Sequence, residues 1–363
     1  MCKKIFIAAT GQHCGKTTTS LSLLHLARKK YQRVGFIKPF GPKRTNYLGK
    51  FVDVDAALIA HVYGMEDQLE LMSPVVLDAH TTRDVLEGKK DPQDYLKAIC
   101  HATAELEKRC DFLIIEGAGH TGVGSVMGLN NARLAKKLDA PVLLVAGGGV
   151  GNVIDSIELN LALFREAGAE VRMILPNKLI KSKREATLKY LKLAFKNTDI
   201  KISGGFNYSP ILANPTLKYV ADLLSLELQA ENNQTSRIIH HVQLGAASTQ
   251  RVVDLLQEST LVIVPSSRDE VLVMLSTLYH LPEYQNKIAG LVINGLVPLA
   301  EIVQRVIDDA KIPYMRTPGI MADLHTTIQE DVAKIGADDE EKIALVQQLA
   351  EHNMNFELID SLF

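Results

Sequence analysis

No apolar run in this chain approaches the roughly 18 residues that a membrane-spanning helix needs. The start, Met1-Cys2-Lys3-Lys4 and then only five apolar residues, is too short for a signal peptide. An excess of one charge is missing as well: 40 basic and 42 acidic residues leave a net charge of −2, with no basic arm. Neither a nucleic acid nor a membrane surface is therefore an expected partner, and a cytoplasmic protein is expected. The four cysteines, at 2, 14, 100 and 110, show no C-x-x-C spacing, which argues against zinc and against a disulfide framework. Ser-His-Asp and Cys-His groupings cannot be argued from the spacing. A second phosphate loop is also lacking.

At 363 residues with 47% hydrophobic content, the chain is long enough for two domains with real cores. Its organising stretch is Thr10-Gly11-Gln12-His13-Cys14-Gly15-Lys16-Thr17, which follows the apolar run 5–9 and precedes the helix-like Thr18-Thr19-Ser20-Leu21. Strand, glycine-containing turn, Gly-Lys-Thr and helix form the context of a phosphate-binding loop. Free N–H groups of the turn and of the first helical turn converge there, where the helix dipole also favours negative charge. Lys16 would meet the terminal phosphates, and the Thr17 hydroxyl would help hold Mg²⁺. The strict pattern has glycine at position 10, whereas this chain has Thr10 followed by Gly11. Cys14 lies inside the loop, where oxidation would block the site, or is simply a small residue that the loop tolerates.

Buried strands are expected at 5–9, 34–37, 112–115, 142–146 and 171–175, with amphipathic helical stretches between most of them. The alternation implies an α/β fold of the P-loop NTPase type, a mainly parallel sheet with helices on both faces. In such a sheet the chemistry gathers at the carboxyl ends of the strands. Those ends read as the phosphate loop, Lys38-Pro39-Phe40-Gly41-Pro42, Glu116-Gly117-Ala118-Gly119-His120, Gly147-Gly148-Gly149-Val150-Gly151-Asn152 and Asn177-Lys178. Polar and flexible residues at all five ends point to one shared site.

Glu116 is the best candidate on the metal side, able to hold Mg²⁺ or to polarise a substrate. Asp111, five strand steps of roughly 3.3 Å away, lies about 16 Å from it and marks the opposite edge. Lys38, fixed by Pro39, could neutralise charge during transfer. Asp53 and Asp55 stand just before a helix-like stretch: Asp55 would make an N-cap, and either aspartate could be a second Mg²⁺ ligand. The glycines at 147–151 miss a dinucleotide fingerprint, because Asn152 stands where the third glycine belongs, and fit a tight strand-to-helix turn.

After a turn-rich break at 201–210, Asn214-Pro215-Thr216 opens a new helical pattern. Strands are expected at 261–264 and 288–293, and helices at about 248–257, 268–280 and 299–310. An acidic helix start follows at Asp338-Asp339-Glu340-Glu341-Lys342. His240 and His241 would point apart on a strand. Ser266-Ser267-Arg268-Asp269 could bind an anion or cap a helix.

The set Gly11 to Thr17, Lys38-Pro39, Asp53-Val54-Asp55, Glu116-Gly117-Ala118-Gly119 and Asn177-Lys178 resembles the dethiobiotin synthetase family of P-loop ATPases. The resemblance implies ATP and Mg²⁺ as cofactors. Thr10, Gly11, Gln12, His13, Cys14, Gly15, Lys16, Thr17 and Thr18 would line the nucleotide, and Asn177 would read the adenine. Lys16, Lys38 and Glu116 would act catalytically; Thr17, Glu116 and Asp53 or Asp55 would meet the metal. The extra early lysine of the related partitioning ATPases is replaced here by Gly11. Both halves together resemble the N-terminal region of long-form phosphate acetyltransferase: a dethiobiotin-synthetase-like domain at 1–203, a smaller α/β DRTGG-like domain at 210–335, and a C-terminal helical segment at 336–363. The second half of that likeness rests on Asn214 to Asp222, Arg268-Asp269 and Asp338 to Ile343, although the Asp-Arg-Thr-Gly-Gly signature itself is absent. The acetyl-transferring domain does not follow, so that activity is not expected of this chain. The resemblance implies a regulatory ATP-binding protein linked to an acetyltransferase or another enzyme of acetate metabolism, or else an ATP-dependent carboxylate-activating ligase, in a homodimer or higher homo-oligomer.

Overall fold

The computed structural model describes residues 2–147, 150–330, 335–337 and 339–363. Two compact units divide the chain: Met1–Ser209 with Ile335–Phe363, and Pro210–Lys334. The C-terminal helices group with the first unit rather than forming a body of their own.

The first unit is built on β1 (Lys3–Ala9), β2 (Val34–Ile37), a hairpin of β3 (Arg44–Tyr47) and β4 (Lys50–Asp53), then β5 (Phe112–Glu116), β6 (Val142–Gly147), β7 (Val171–Asn177) and β8 (Lys201–Ile202). Six of these form one sheet in the order β2-β5-β1-β6-β7-β8, parallel throughout. Runs such as Val142 to Val145 are apolar at every position because helices cover both faces, and they are buried accordingly. Register aligns Ile7 with Glu116 and Ile37 with Ile115, so the ends of β1, β2 and β5 arrive at one edge.

Helix Lys16–Ala27 has no polar face, since Thr19, Ser20 and Ser22 are buried along with Leu21, Leu23, Leu24 and Ala27. One side lies on the sheet, and the other is covered by helix Glu340–Asn353. His25 and Lys29 both pair with Glu351 on that cover. The last helix, Phe356–Leu362, is anchored by Asp360: Lys3 Nζ and Lys30 Nζ each lie 2.9 Å from its carboxylate, and Tyr31 Oη donates to it. The Tyr31, Phe112 and Phe356 rings pack in series, with centroids 5.2 and 6.0 Å apart. At the same amino edge, Asp111 holds the Arg33 guanidinium at 2.6 Å.

In the second unit, β10 (His241–Leu244), β11 (Thr260–Pro265), β12 (Ile288–Asn294) and β13 (Tyr314–Thr317) run parallel, and β9 (Leu228–Gln229) adds an antiparallel edge; the order is β10-β11-β12-β13-β9. Helices Thr249–Asp254, Asp269–Tyr279 and Glu301–Ala310 cover one face. Helices Leu217–Leu224 and Met321–Glu330 cover the other. Thr216 caps the first of this second pair, accepting from Tyr219 N at 3.1 Å. Gly148, Gly149 and Asp338, parts of the expected turn and acidic helix start, lie outside the described residues. No helix of the described residues is long and apolar enough to cross a membrane.

Candidate functional site

The loop between β1 and helix Lys16–Ala27 explains its own departure from the glycine pattern. Thr10 N donates to Val145 O at 3.0 Å, continuing the sheet, and Thr10 O accepts from Asn160 Nδ2 at 3.2 Å. Position 10 is not among the residues of positive φ, so no glycine is needed there. Gly15 is different. Its φ is 99°, and an added Cβ would come within 2.2 Å of Asn177 Nδ2. Glycine is thus required where the loop enters the helix, and that helix starts with no side-chain cap. Its first N–H groups stay open toward the loop, the arrangement that favours an anion.

Lys16 is nine-tenths buried, and its ammonium donates to the carbonyl of Gly119. Burial and the nearby Lys38 charge pull its pKa down to about 8, with Glu116 opposing them. Thr17 Oγ1 reaches Glu116 Oε1 at 3.2 Å. Glu116 is wholly buried and also accepts from Ser20 Oγ at 2.6 Å and from Lys38 Nζ at 2.7 Å. Lys38 Nζ in turn meets Asp55 Oδ2 at 2.7 Å. Burial alone would lower Lys38, but Asp55 and Glu116, helped by Asp53, outweigh it and hold the lysine charged.

Thr17, Lys38, Asp55 and Glu116, drawn from four places in the sequence, are therefore one hydrogen-bonded group, and Lys16, bonded to the Gly119 carbonyl, feels the charges of Lys38 and Glu116 beside it. The two aspartates separate here. Asp53, and not Asp55, is the N-cap of helix Val54–Tyr63: its Oδ1 accepts from Asp55 N at 2.9 Å and its Oδ2 from Lys43 N at 3.2 Å. The expectation that Asp55 caps the helix is corrected for that reason; Asp55 sits in the first turn and turns to Lys38. Asn177 lies behind the loop, donating to Cys14 O at 3.0 Å and accepting from Phe206 N at 2.9 Å. Each end of its amide makes one of these bonds to backbone, which holds the side chain in place beside the loop. Of the other loop positions, Gln12 and His13 are exposed and Thr18 lies in the first helical turn.

Three residues were not found by sequence reasoning. Ser20 stands one turn beyond Thr17 on the same helix face, a spacing that would have pointed to it. Asn131 clamps the turn after β5, accepting from Ala118 N at 3.1 Å and donating to Ala118 O at 2.7 Å and His120 O at 2.8 Å. A Cβ on Gly117 would lie 2.6 Å from Asn131 Oδ1, so that glycine permits the clamp. Asn160 holds Thr10 as described. Neither asparagine carries a sequence signal beyond being polar within a helical pattern.

The oxygen set of Thr17, Asp55 and Glu116 suits a hard cation. Among the described residues no cluster of three or more His, Cys, Asp or Glu could hold a metal alone. A Mg²⁺ ion here would need oxygens from phosphate or water to complete its shell. In the second unit, the partly exposed Arg268 donates to Ala246 O at 2.8 Å and Ala247 O at 2.9 Å and pairs with Glu270. It is thus committed to its own loops rather than open to an anion.

An AAA domain family profile matches residues 3–216, and a DRTGG domain profile matches 219–330. The chain is 26% identical to a phosphate acetyltransferase of Pseudomonas putida over 75% of this chain and 39% of that one. It is 22% identical to the phosphate acetyltransferase of Nitratidesulfovibrio vulgaris over 98% of this chain and 51% of that one. An ATP-dependent dethiobiotin synthetase of Clostridium kluyveri is 25% identical over 63% of this chain and 91% of its own length. The chain spans about half or less of the phosphate acetyltransferases that it matches. With a parallel sheet, a phosphate loop after its first strand and a profile covering more than half of its length, the chain belongs to the AAA domain family, here followed by a DRTGG domain and homologous to the N-terminal region of long phosphate acetyltransferases.

Proposed function

We propose that the first unit binds ATP with Mg²⁺ and that its bound state serves regulation, the second unit passing it to an acetyltransferase of acetate metabolism or within a homo-oligomer. The carrying observation is the group Lys16, Thr17, Lys38, Asp55 and Glu116, gathered where the open helix start of the loop favours an anion. Lys16 would leave the Gly119 carbonyl for the terminal phosphates. Thr17, Asp55 and Glu116 would hold Mg²⁺, which would neutralise phosphate charge there. The partner is drawn from the relatives: nearly the whole chain aligns with about half of a phosphate acetyltransferase.

A second reading has its own support. A dethiobiotin synthetase aligns over 91% of its length, and the buried Lys38 stands beside the carboxylates where it could stabilise charge on a transferred phosphoryl group. ATP turnover in a screen of carboxylic acids, amines and candidate partner proteins separates the two. Turnover indifferent to every metabolite but altered by an acetyltransferase supports regulation. Many-fold acceleration by one small carboxylic acid or amine would sink it in favour of the ligase.

A further inference from the structure

At the amino edge of the first sheet, opposite the loop, two cysteines 108 positions apart in sequence meet: Cys2 Sγ lies 3.4 Å from Cys110 Sγ. Cys2 immediately precedes β1, and Cys110 closes helix Pro92–Arg109 just before β5. The pairing of Lys3 with Phe112 brings the two chain segments side by side, at the strand spacing of roughly 4.8 Å that a disulfide can bridge. Cys2 is only half-buried, so a small oxidant can reach it, while Cys110 is buried behind it. Gly35 closes around the buried thiol: an added Cβ there would stand 2.9 Å from Cys110 Sγ. The other two cysteines, 14 and 100, form no such pair among the described residues.

We infer that Cys2 and Cys110 are a redox-active thiol pair that a hydroperoxide converts to a disulfide, cross-linking β1 to β5 at their amino ends. The division of labour follows from their surroundings. The hydrogen bond from Cys110 holds the Cys2 thiol below its ordinary range, and the same bond, with burial, holds Cys110 above it. Cys2 is therefore the attacking thiolate. Its sulfur takes an oxygen from hydrogen peroxide, releasing one water and becoming a sulfenic acid. The Cys110 sulfur then displaces that oxygen, which leaves as a second water with the Cys110 proton. Two thiols and one peroxide become one disulfide and two waters. β1 and β5 carry the loop and Glu116 at their far ends, about 20 Å away, so the cross-link braces the strands without touching the group proposed to bind nucleotide.

Full-length protein is treated with hydrogen peroxide, its remaining thiols are alkylated, and a non-reducing peptide map is recorded with the thermal midpoint. A linked peptide joining Cys2 to Cys110 is expected, together with a midpoint raised by about 5 °C or more that dithiothreitol reverses. Cys2→Ser and Cys110→Ser should each abolish both effects, and the Cys14→Ser/Cys100→Ser double variant should keep them. Cys2 recovered as sulfinic or sulfonic acid with Cys110 still alkylated would overturn the inference, as would a disulfide through Cys14 or Cys100, or a cross-link that leaves the midpoint unchanged.

Discussion

The two sheets share a rhythm of parallel strands and covering helices, yet their interiors differ in kind. The first unit buries Lys16, Lys38, Asp53, Asp55 and Glu116 around its carboxyl edge. Among the described residues of the second unit, the buried polar groups are hydroxyls such as Ser266, Ser276 and Thr317, with no ionised side chain. The corresponding edge there instead exposes Leu296, Val297 and Ile320. Burying a charge costs several kcal/mol unless partners repay it, so a fold accumulates such groups where chemistry or binding requires them. The comparison assigns the nucleotide reading to the first unit on energetic grounds as well as by motif.

Substitutions in the two units should respond to this contrast unequally. Lys16→Ala removes the cation proposed to meet the terminal phosphates, and ATP·Mg²⁺ affinity by calorimetry should fall by about 100-fold or more. Equal binding by that variant would falsify the central proposal. Lys38→Met leaves Asp55 and Glu116 facing each other unneutralised, and urea unfolding should report a loss of about 3–5 kcal/mol. A neutral result would mean that burying these charges without the lysine costs far less than that.

Acidity sharpens the contrast. Lys16 in the free protein sits at about 8, and a neighbouring phosphate would favour its charged form. Above that pH binding must take up a proton, so affinity should hold below about pH 8 and decline by up to about tenfold per unit above it. A flat profile from pH 7 to 10 would detach Lys16 from the phosphates.

At the C-terminal helices the linkage runs the other way. Burial would raise Asp360, but hydrogen bonds from Tyr31, Lys30 and Lys3 outweigh it and bring the carboxyl down to about 2. A carboxyl depressed by folding stabilises above its ordinary range, and that contribution is lost as pH falls from about 4 toward 2. Asp360→Asn should cost about 1 kcal/mol after allowing for solvent screening, seen as faster amide exchange in 356–362. The smallest effect belongs to the second unit. Ser276 Oγ is buried without a partner among the described residues, so Ser276→Ala should be neutral or stabilise by about 0.5 kcal/mol in thermal unfolding.

The buried strands were legible because parallel strands covered on both faces are apolar at every residue, and 34–37 was bounded correctly from that signal alone. The hairpin of β3 and β4 was not, since Arg44-Thr45-Asn46-Tyr47 alternates exposed and half-buried positions with no buried apolar residue. The two-residue β8 and β9 are too short for any periodicity. At the site, the strand-end rule pointed to Lys38, Glu116 and Asn177, but which of Asp53 and Asp55 caps the helix depends on a difference of two residues in where the helix starts. Ser20 could be reached from its place one turn beyond Thr17, but hydrogen bonds between distant segments, such as Asn131 to the turn after β5, leave no trace in local sequence. The meeting of Cys2 with Cys110 is hidden for the same reason.

The chain leaves the first unit at Ser209 and rejoins it at Ile335. The second unit is thus an insertion on two tethers rather than a pendant on one. Trimming the polypeptide back from Phe363 would not release the inserted unit; it would strip the cover from helix Lys16–Ala27, on which the phosphate loop is mounted. An isolated first unit is better made by excising 210–334 and joining the two flanks with a short flexible linker.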